Sequence, residues 1–423
     1  MREEKRIAKN GIPIYSIPNP SNHSFYISMF LKSGTMYEMN GECGITHFLE
    51  HAVIRNVNSI MNGNLYAILD KYGMEFNAST YNEMVQFYIF GNEHNFRLGA
   101  DIISLLLSSI TLTKDDLDAE RNRIKAEIRE ADDKSSLAYF STLEVFENTS
   151  LARPITGTLG EVSKISVKKL EAYRKRVFNN SNIFFYVTGN VCNDNLNYLL
   201  GCIDKYSLEK GEEHSNIAPV PACFGKREKG VKIKNADFTK IRYTFDVDMS
   251  KVSSAELDLL YDLTLGGYSS DFFIELSERR GLFYDLGGTV ERYKNIGVFY
   301  FSYELKASKL YEAVSKTMEL LDKYKTEVLP QDRCMRAGYV DNAYMLYDDS
   351  RELNFTFGYD NHVLELGYEG IEARRMAYAA ITPERMREVA RIVFRHENMT
   401  VTLKCNKKKT DTEKLNAILF GRG

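Results

Sequence analysis

Two histidines four residues apart, with a glutamate beside the second, are the first residues here that could do chemistry: His47-Phe48-Leu49-Glu50-His51. On a helix, residues i and i+4 stand one turn above each other on one face, so both imidazoles can converge on one metal ion. Glu50 adjoins His51 and lies one turn from His47, close enough to act on a water at that metal. The order H-x-x-E-H is the reverse of the H-E-x-x-H metallopeptidase motif. The chain has seven histidines, and two of them on a solvated helix face would give the same spacing without any chemistry.

A catalytic metal site that keeps a position open for water commonly takes three protein ligands, and two histidines with one glutamate form a recurring set. Downstream, Leu117 to Glu130 is a charged helical segment with Glu120 and Glu127 two turns apart. By residue type alone these two are either a source of the third ligand or part of a solvated helix face.

Glu127 follows His51 by 76 residues. H-x-x-E-H with a glutamate at that distance resembles the pitrilysin and insulysin family of zinc metallopeptidases (the inverzincins), which includes the mitochondrial processing peptidase. The chain is similar to the bacterial peptidases that look like its beta subunit. The resemblance implies His47, His51 and Glu127 as ligands of Zn2+ and Glu50 as the catalytic base. It implies Glu120 as the family's additional acidic residue, close to the site. Asn77-Ala78-Ser79-Thr80 matches the family's N-A-x-T edge strand, which takes the substrate backbone by β-addition; Asn77 and Ala78 are the substrate-binding residues implied.

The segment from Leu265 to Tyr284 looks like the family's element that closes over the substrate. There Tyr284 would donate to the tetrahedral oxyanion, and Arg280 would clamp substrate. The family usually carries an arginine seven residues before this tyrosine, where this chain has Ser277. Either a neighbouring guanidinium, Arg279 or Arg280, substitutes, or clamping is weaker than usual. Gly266-Gly267 reads as a backbone turn, since neither G-x-G-x-x-G nor a P-loop lysine follows.

The elements that must position these residues are legible in outline. Arg6 to Ile17 reads as two short strands about an Asn10-Gly11 turn, and Phe25 to Leu31 as a strongly apolar strand. The motif helix comes next, followed by a helical stretch from Gly63 to Tyr72 that stops at Gly73. Two strands follow, Glu75 to Thr80 and Met84 to Phe90, and then a buried helical stretch near Phe96 to Ser109.

An internal repeat sets the architecture. Ile165 to Asn190 aligns without gaps on Ile381 to Asn406, an offset of 216. Each copy opens on an N-cap residue (Ser166, Thr382), runs through an amphipathic helix and a Phe-x-x-x-Asn step, and enters an apolar strand. Leu112 to Asp115 matches Leu329 to Asp332 more weakly. The predicted fold is therefore α+β: two homologous α/β halves, each a mostly antiparallel mixed sheet with helices packed on it. The resemblance implies that they form a clam-shell around a central chamber. The expected division is 1–213, with the zinc site, and 214–423, metal-free and clamping substrate, with a polar linker at about 209–229. In the second half the register of the motif falls on Glu256 to Tyr261, which holds no histidine.

Composition bounds the partners. A hydrophobic content of 44% is enough for sizeable cores, and a net charge of −3 favours neither nucleic acid nor an anionic membrane surface. No apolar run is long enough to span a bilayer, and no apolar stretch of signal-peptide type follows the charged Met1 to Arg6. Six cysteines without a C-x-x-C pair point to a reducing, cytoplasmic compartment. The expected activity is zinc-dependent endopeptidase hydrolysis of peptides or short unfolded polypeptides inside a closed chamber. The expected assembly is a homodimer, or a heterodimer with a silent relative. The alternative is a silent or weakly active partner subunit of a heterodimeric peptidase, although all four key positions are intact.

Overall fold

Alternating apolar segments separated by Asn-Gly and Gly punctuation build two sheets, seen in a computed structural model that describes residues 2–131, 137–147, 149–211, 230–283, 285–328 and 337–421. The first sheet contains β1 (Glu4–Ile7), β2 (Pro13–Pro18), β3 (Ser24–Leu31), β4 (Glu75–Thr80), β5 (Val85–Asn92) and β6 (Ile183–Gly189) in the order β1-β2-β6-β3-β5-β4. The second contains β7 (Val231–Asn235), β8 (Thr239–Asp248), β9 (Asp285–Arg292), β10 (Ile296–Leu305) and β11 (Met399–Cys405) in the order β7-β11-β8-β10-β9. Apart from the added β1, the two orders are the same. In each sheet one pair is parallel, β2 with β6 and β7 with β11, and the remaining pairs are antiparallel.

The repeat maps onto structure residue by residue. Helix Val167–Val177 with β6 and helix Pro383–Val393 with β11 begin and end at positions 216 apart. The reason is local: Ser166 and Thr382 each accept a backbone N–H from the third residue on, Lys169 and Arg385, satisfying a donor that the helix itself leaves open.

Two compact units form, and they are not the contiguous halves 1–213 and 214–423. One comprises Met1–Asp132, Arg153–Pro219 and Tyr344–Ala373; the other Asp133–Ala152, Val220–Ala343 and Arg374–Gly423. The physical cause is that each sheet has two faces to cover. In the first unit, helix Ser350–His362 packs on β3 and β6. Its buried Asn354 donates to the carbonyl of Tyr186 at 2.9 Å and accepts from Ser28 Oγ at 2.6 Å. In the second unit, helix Leu137–Phe146 packs on β11 and β8, and the hydroxyls of Ser141 and Thr402 are hydrogen-bonded. Each unit has its own apolar core on the other sheet face. Within the predicted linker only 209–211 falls among the described residues, and the weaker repeat match at Leu329 to Asp332 lies outside them. No helix among the described residues is long and apolar enough to cross a membrane.

Candidate active site

The motif helix, Ile45–Ile60, is seated by its apolar face. Ile45, Phe48, Leu49, Ala52, Val53 and Val57 are buried in the core of the first unit, a spacing that defines one stripe of a 3.6-residue helix. Its start is fixed by Gly44, whose φ of 85° is costly for any side chain, and by the Glu38 carboxylate. Glu38 Oε2 accepts the Gly44 N–H at 3.0 Å and Oε1 accepts the Thr46 N–H at 2.9 Å.

Across from it lies helix Lys114–Ala131, which buries Leu117, Ile124 and Ile128 in the same core. The two helices meet in a ladder. His47 Nε2 lies 3.8 Å from Glu127 Oε2, His51 Nε2 lies 3.5 Å from the same oxygen, and His51 Nδ1 lies 3.0 Å from Glu120 Oε2. One turn further on, Arg55 spans Glu120 Oε1 at 2.9 Å and Asp116 Oδ1 at 2.8 Å.

His47, His51 and Glu127 each offer one ligand atom within 4.8 Å of the others. Among the described residues this is the one group of its kind. Three ligands set tetrahedrally about 2 Å from a zinc ion would lie roughly 3.3 Å apart, so the separations suit a shared cation with little adjustment. Burial, helped by the neighbouring His51, pushes His47 down to about 4, which keeps the imidazole neutral and able to ligate at pH 7. Burial would raise Glu120, but hydrogen bonds from His51 and Arg55 outweigh it and hold the carboxylate below its usual range.

Glu50 is 8% exposed. Burial raises its pKa, opposed by a hydrogen bond from the Thr80 hydroxyl on β4. β4 is the outermost strand of its sheet. On it Asn77 is exposed and Ala78 half-buried, and the Ala78 N–H donates to Asn77 Oδ1 at 2.9 Å. A cleft of about 420 Å³ is lined by Glu50, His51 and Glu120 together with Tyr66, Phe76 and Asn77.

Residues 14–159 match the model for the insulinase family, peptidase family M16, and residues 164–337 match that for the peptidase M16 inactive domain. The chain belongs to the M16 peptidase family. An uncharacterized zinc protease of Rickettsia bellii is 26% identical over 309 residues, which are 71% of this chain and 73% of the relative. A crystal structure of a protease from Helicobacter pylori superposes with a TM-score of 0.81 at 20% identity, covering 95% of this chain and 99% of that one. A chain of the Candida albicans complex III2 superposes at 0.78 with 14% identity, covering 98% and 99%. At these identities the structural likenesses establish the fold alone.

In this M16 chain, as the second family model's description would suggest, the register of the metal motif in the second unit falls on helix Ser254–Leu265 and holds no histidine. Arg280 is exposed, following a π-helical turn at Phe273–Glu278. Arg279 pairs with Glu275 at 2.5 Å, and Ser277 is half-buried. Tyr284 lies outside the described residues. Two contributors to the site escaped sequence reasoning, Arg55 and Asp116, and Thr80 was read only as part of the N-A-x-T strand, not as a partner of Glu50. A signal existed for the first two, since Arg55 stands four residues after His51 and Asp116 four before Glu120, each on its helix's site face.

Proposed function

We propose that this M16 chain is a zinc-dependent endopeptidase that hydrolyses peptides or short unfolded polypeptides. The observation that carries the reading is the convergence of His47 Nε2, His51 Nε2 and Glu127 Oε2 beside the buried Glu50. Zinc held by these three groups would supply Lewis acidity, lowering the pKa of water and polarising a peptide carbonyl.

The chain's own residues do the rest. Glu50, raised by burial, takes a proton from the water whose oxygen bonds to the scissile carbonyl carbon. It passes that proton to the departing amine nitrogen as the C–N bond breaks. Glu120 orients His51 through Nδ1. The outer edge of β4, at Asn77 and Ala78, takes the substrate backbone as an added strand, which gives affinity tolerant of sequence. By family resemblance, Tyr284 donates to the oxyanion and Arg280 clamps substrate. Among the described residues, Cys43, Cys192, Cys202 and Cys405 are free thiols, which suits action in the cytoplasm.

Zinc analysis joined to mass spectrometry of a digested peptide library tests this reading. About one zinc per chain and internal cleavage are expected, and Glu50→Gln should keep the metal while abolishing cleavage. Zinc without turnover in the wild-type chain would favour the silent partner subunit instead. Trimming from chain ends alone would reject the endopeptidase.

A further inference from the structure

We infer that Arg55 is a positioning residue for the metal centre: it holds the Glu120 carboxylate so that Glu120 fixes the tautomer and ring orientation of His51. The inference rests on the reading of His47, His51 and Glu127 as a zinc site.

A carboxylate engaged through one oxygen can swing about its terminal bond; one engaged through both cannot. Glu120 Oε2 is 3.0 Å from His51 Nδ1, and Oε1 accepts from Arg55 Nη1 at 2.9 Å. With Nδ1 donating to Glu120, the proton sits on that nitrogen, and the lone pair of Nε2 is left facing Glu127. Arg55 is itself anchored. Its Nε and Nη2 donate to Asp116 Oδ1 at 3.1 and 2.8 Å, and Asp116 Oδ2 accepts from the Thr113 N–H at 3.0 Å and hydroxyl at 2.6 Å. A chain of hydrogen bonds thus runs from the start of helix Lys114–Ala131 through Arg55 and Glu120 to one ligand.

The other histidine has no such support. His47 Nδ1 is buried without a hydrogen-bond partner among the described residues, so of the two imidazoles only His51 is oriented by a carboxylate at its Nδ1. A planar guanidinium can span two carboxylates at once where an ammonium is a single point charge, so arginine suits this position better than lysine.

The test uses the full chain and zinc alone as probe. Competition with a chromophoric chelator should show Arg55→Met binding zinc at least tenfold more weakly than wild type, with Arg55→Lys in between. In a Glu120→Gln background, Arg55→Met should cause little further loss, because its effect passes through that carboxylate. A merely structural role would instead lower the unfolding midpoint and leave zinc affinity alone. Nitrogen NMR of the metal-free, 15N-histidine-labelled chain reads the tautomer directly: Nδ1–H at His51 in wild type, a mixture in Arg55→Met. Equal zinc affinity in wild type and Arg55→Met, or an undiminished loss in the Glu120→Gln background, would overturn the inference. Failure of wild type to bind zinc would instead sink the reading of the site. The NMR spectrum then still decides the role of Arg55, and an unchanged His51 signal in Arg55→Met rejects it.

Discussion

The Thr80 hydroxyl donates to Glu50 Oε2, tying the carboxylate of the motif helix to the last residue of the edge strand β4. The base and the strand proposed to hold substrate are thereby set by one hydrogen bond. Burial pushes Glu50 up and this bond pulls it back. Thr80→Val removes the pull without changing side-chain shape, so the Glu50 pKa should rise further. The acid limb of kcat/KM should then move to higher pH. A hydrogen bond to a charged group contributes about 1.5 kcal/mol or more, so activity on that limb should fall about tenfold. A pH–rate profile checks this; superimposable curves would mean that Thr80 does not tune the base.

Gly44 and Gly157 approach so closely that a Cβ on Gly44 would sit 2.7 Å from Gly157 Cα and 2.8 Å from the Thr156 carbonyl. Gly44 also has φ 85° and precedes the first residue of the motif helix. Gly44→Ala therefore combines left-handed strain with a backbone clash, and a loss of about 2 kcal/mol or more is expected. Because the helix start would shift, zinc affinity should fall with stability. Chemical denaturation and zinc titration of the same variant measure both. A fully stable variant would show that the loop carrying Gly157 yields freely.

Much of this site was legible because helix geometry is local. Spacings of four and seven residues place His47 with His51, and Glu120 with Glu127, on single faces whatever the tertiary fold. The repeat was legible for a related reason: Ser166 and Thr382 start their helices by side-chain hydrogen bonds that reach only three residues. Arg55 and Asp116 could each be placed on a site face by spacing, but their pairing was hidden, since charges 61 residues apart meet only when two helices dock. The assignment of helices Leu137–Phe146 and Ser350–His362 to their sheets was hidden as well. A helix with an ordinary packing face fits either sheet, and what commits Ser350–His362 is the buried Asn354, which finds Ser28 and the Tyr186 carbonyl. Nothing in the spacing of that asparagine announces its partners.

Glu38 gives the motif helix a pH dependence. Burial raises its carboxyl to about 7, against the hydrogen bonds from Thr46 and Gly44 and the charge of Arg153. An unfolded glutamate has the ordinary value of 4.5, so between pH 4.5 and 7 the folded chain holds a proton that the unfolded chain has lost. The contribution of Glu38 is thus fully present below 4.5 and is lost as pH rises through 7. A shift of this size corresponds to about 3 kcal/mol. Glu38→Gln does not titrate, so its stability relative to wild type should improve by about that amount between pH 4.5 and 7.5. Urea denaturation at the two pH values tests the difference, and parallel behaviour of the two proteins would refute the buried-proton account.

Metal removal should loosen the pairing of the two site helices. With zinc bound, His47 and His51 on helix Ile45–Ile60 and Glu127 on helix Lys114–Ala131 would be cross-linked through one ion. Without it, the contacts left at those positions are His–Glu separations of 3.8 and 3.5 Å with partly exposed Glu127, while the Arg55 clamp stays. A ligand that binds only the folded state stabilises by RT ln(1 + [L]/Kd), about 4 kcal/mol at a thousandfold excess over Kd. Chelation should therefore lower the thermal midpoint of wild type, and added zinc should restore it. His47→Ala and Glu127→Ala should each start from the lowered midpoint, respond to neither chelator nor zinc, and contain no metal. His94→Ala is the control, since that imidazole is exposed and remote in sequence from the motif; it should behave as wild type. Full zinc content in both ligand variants would locate the metal elsewhere. A wild-type midpoint indifferent to chelation would mean that the two helices are held by the Arg55 clamp and the apolar core alone.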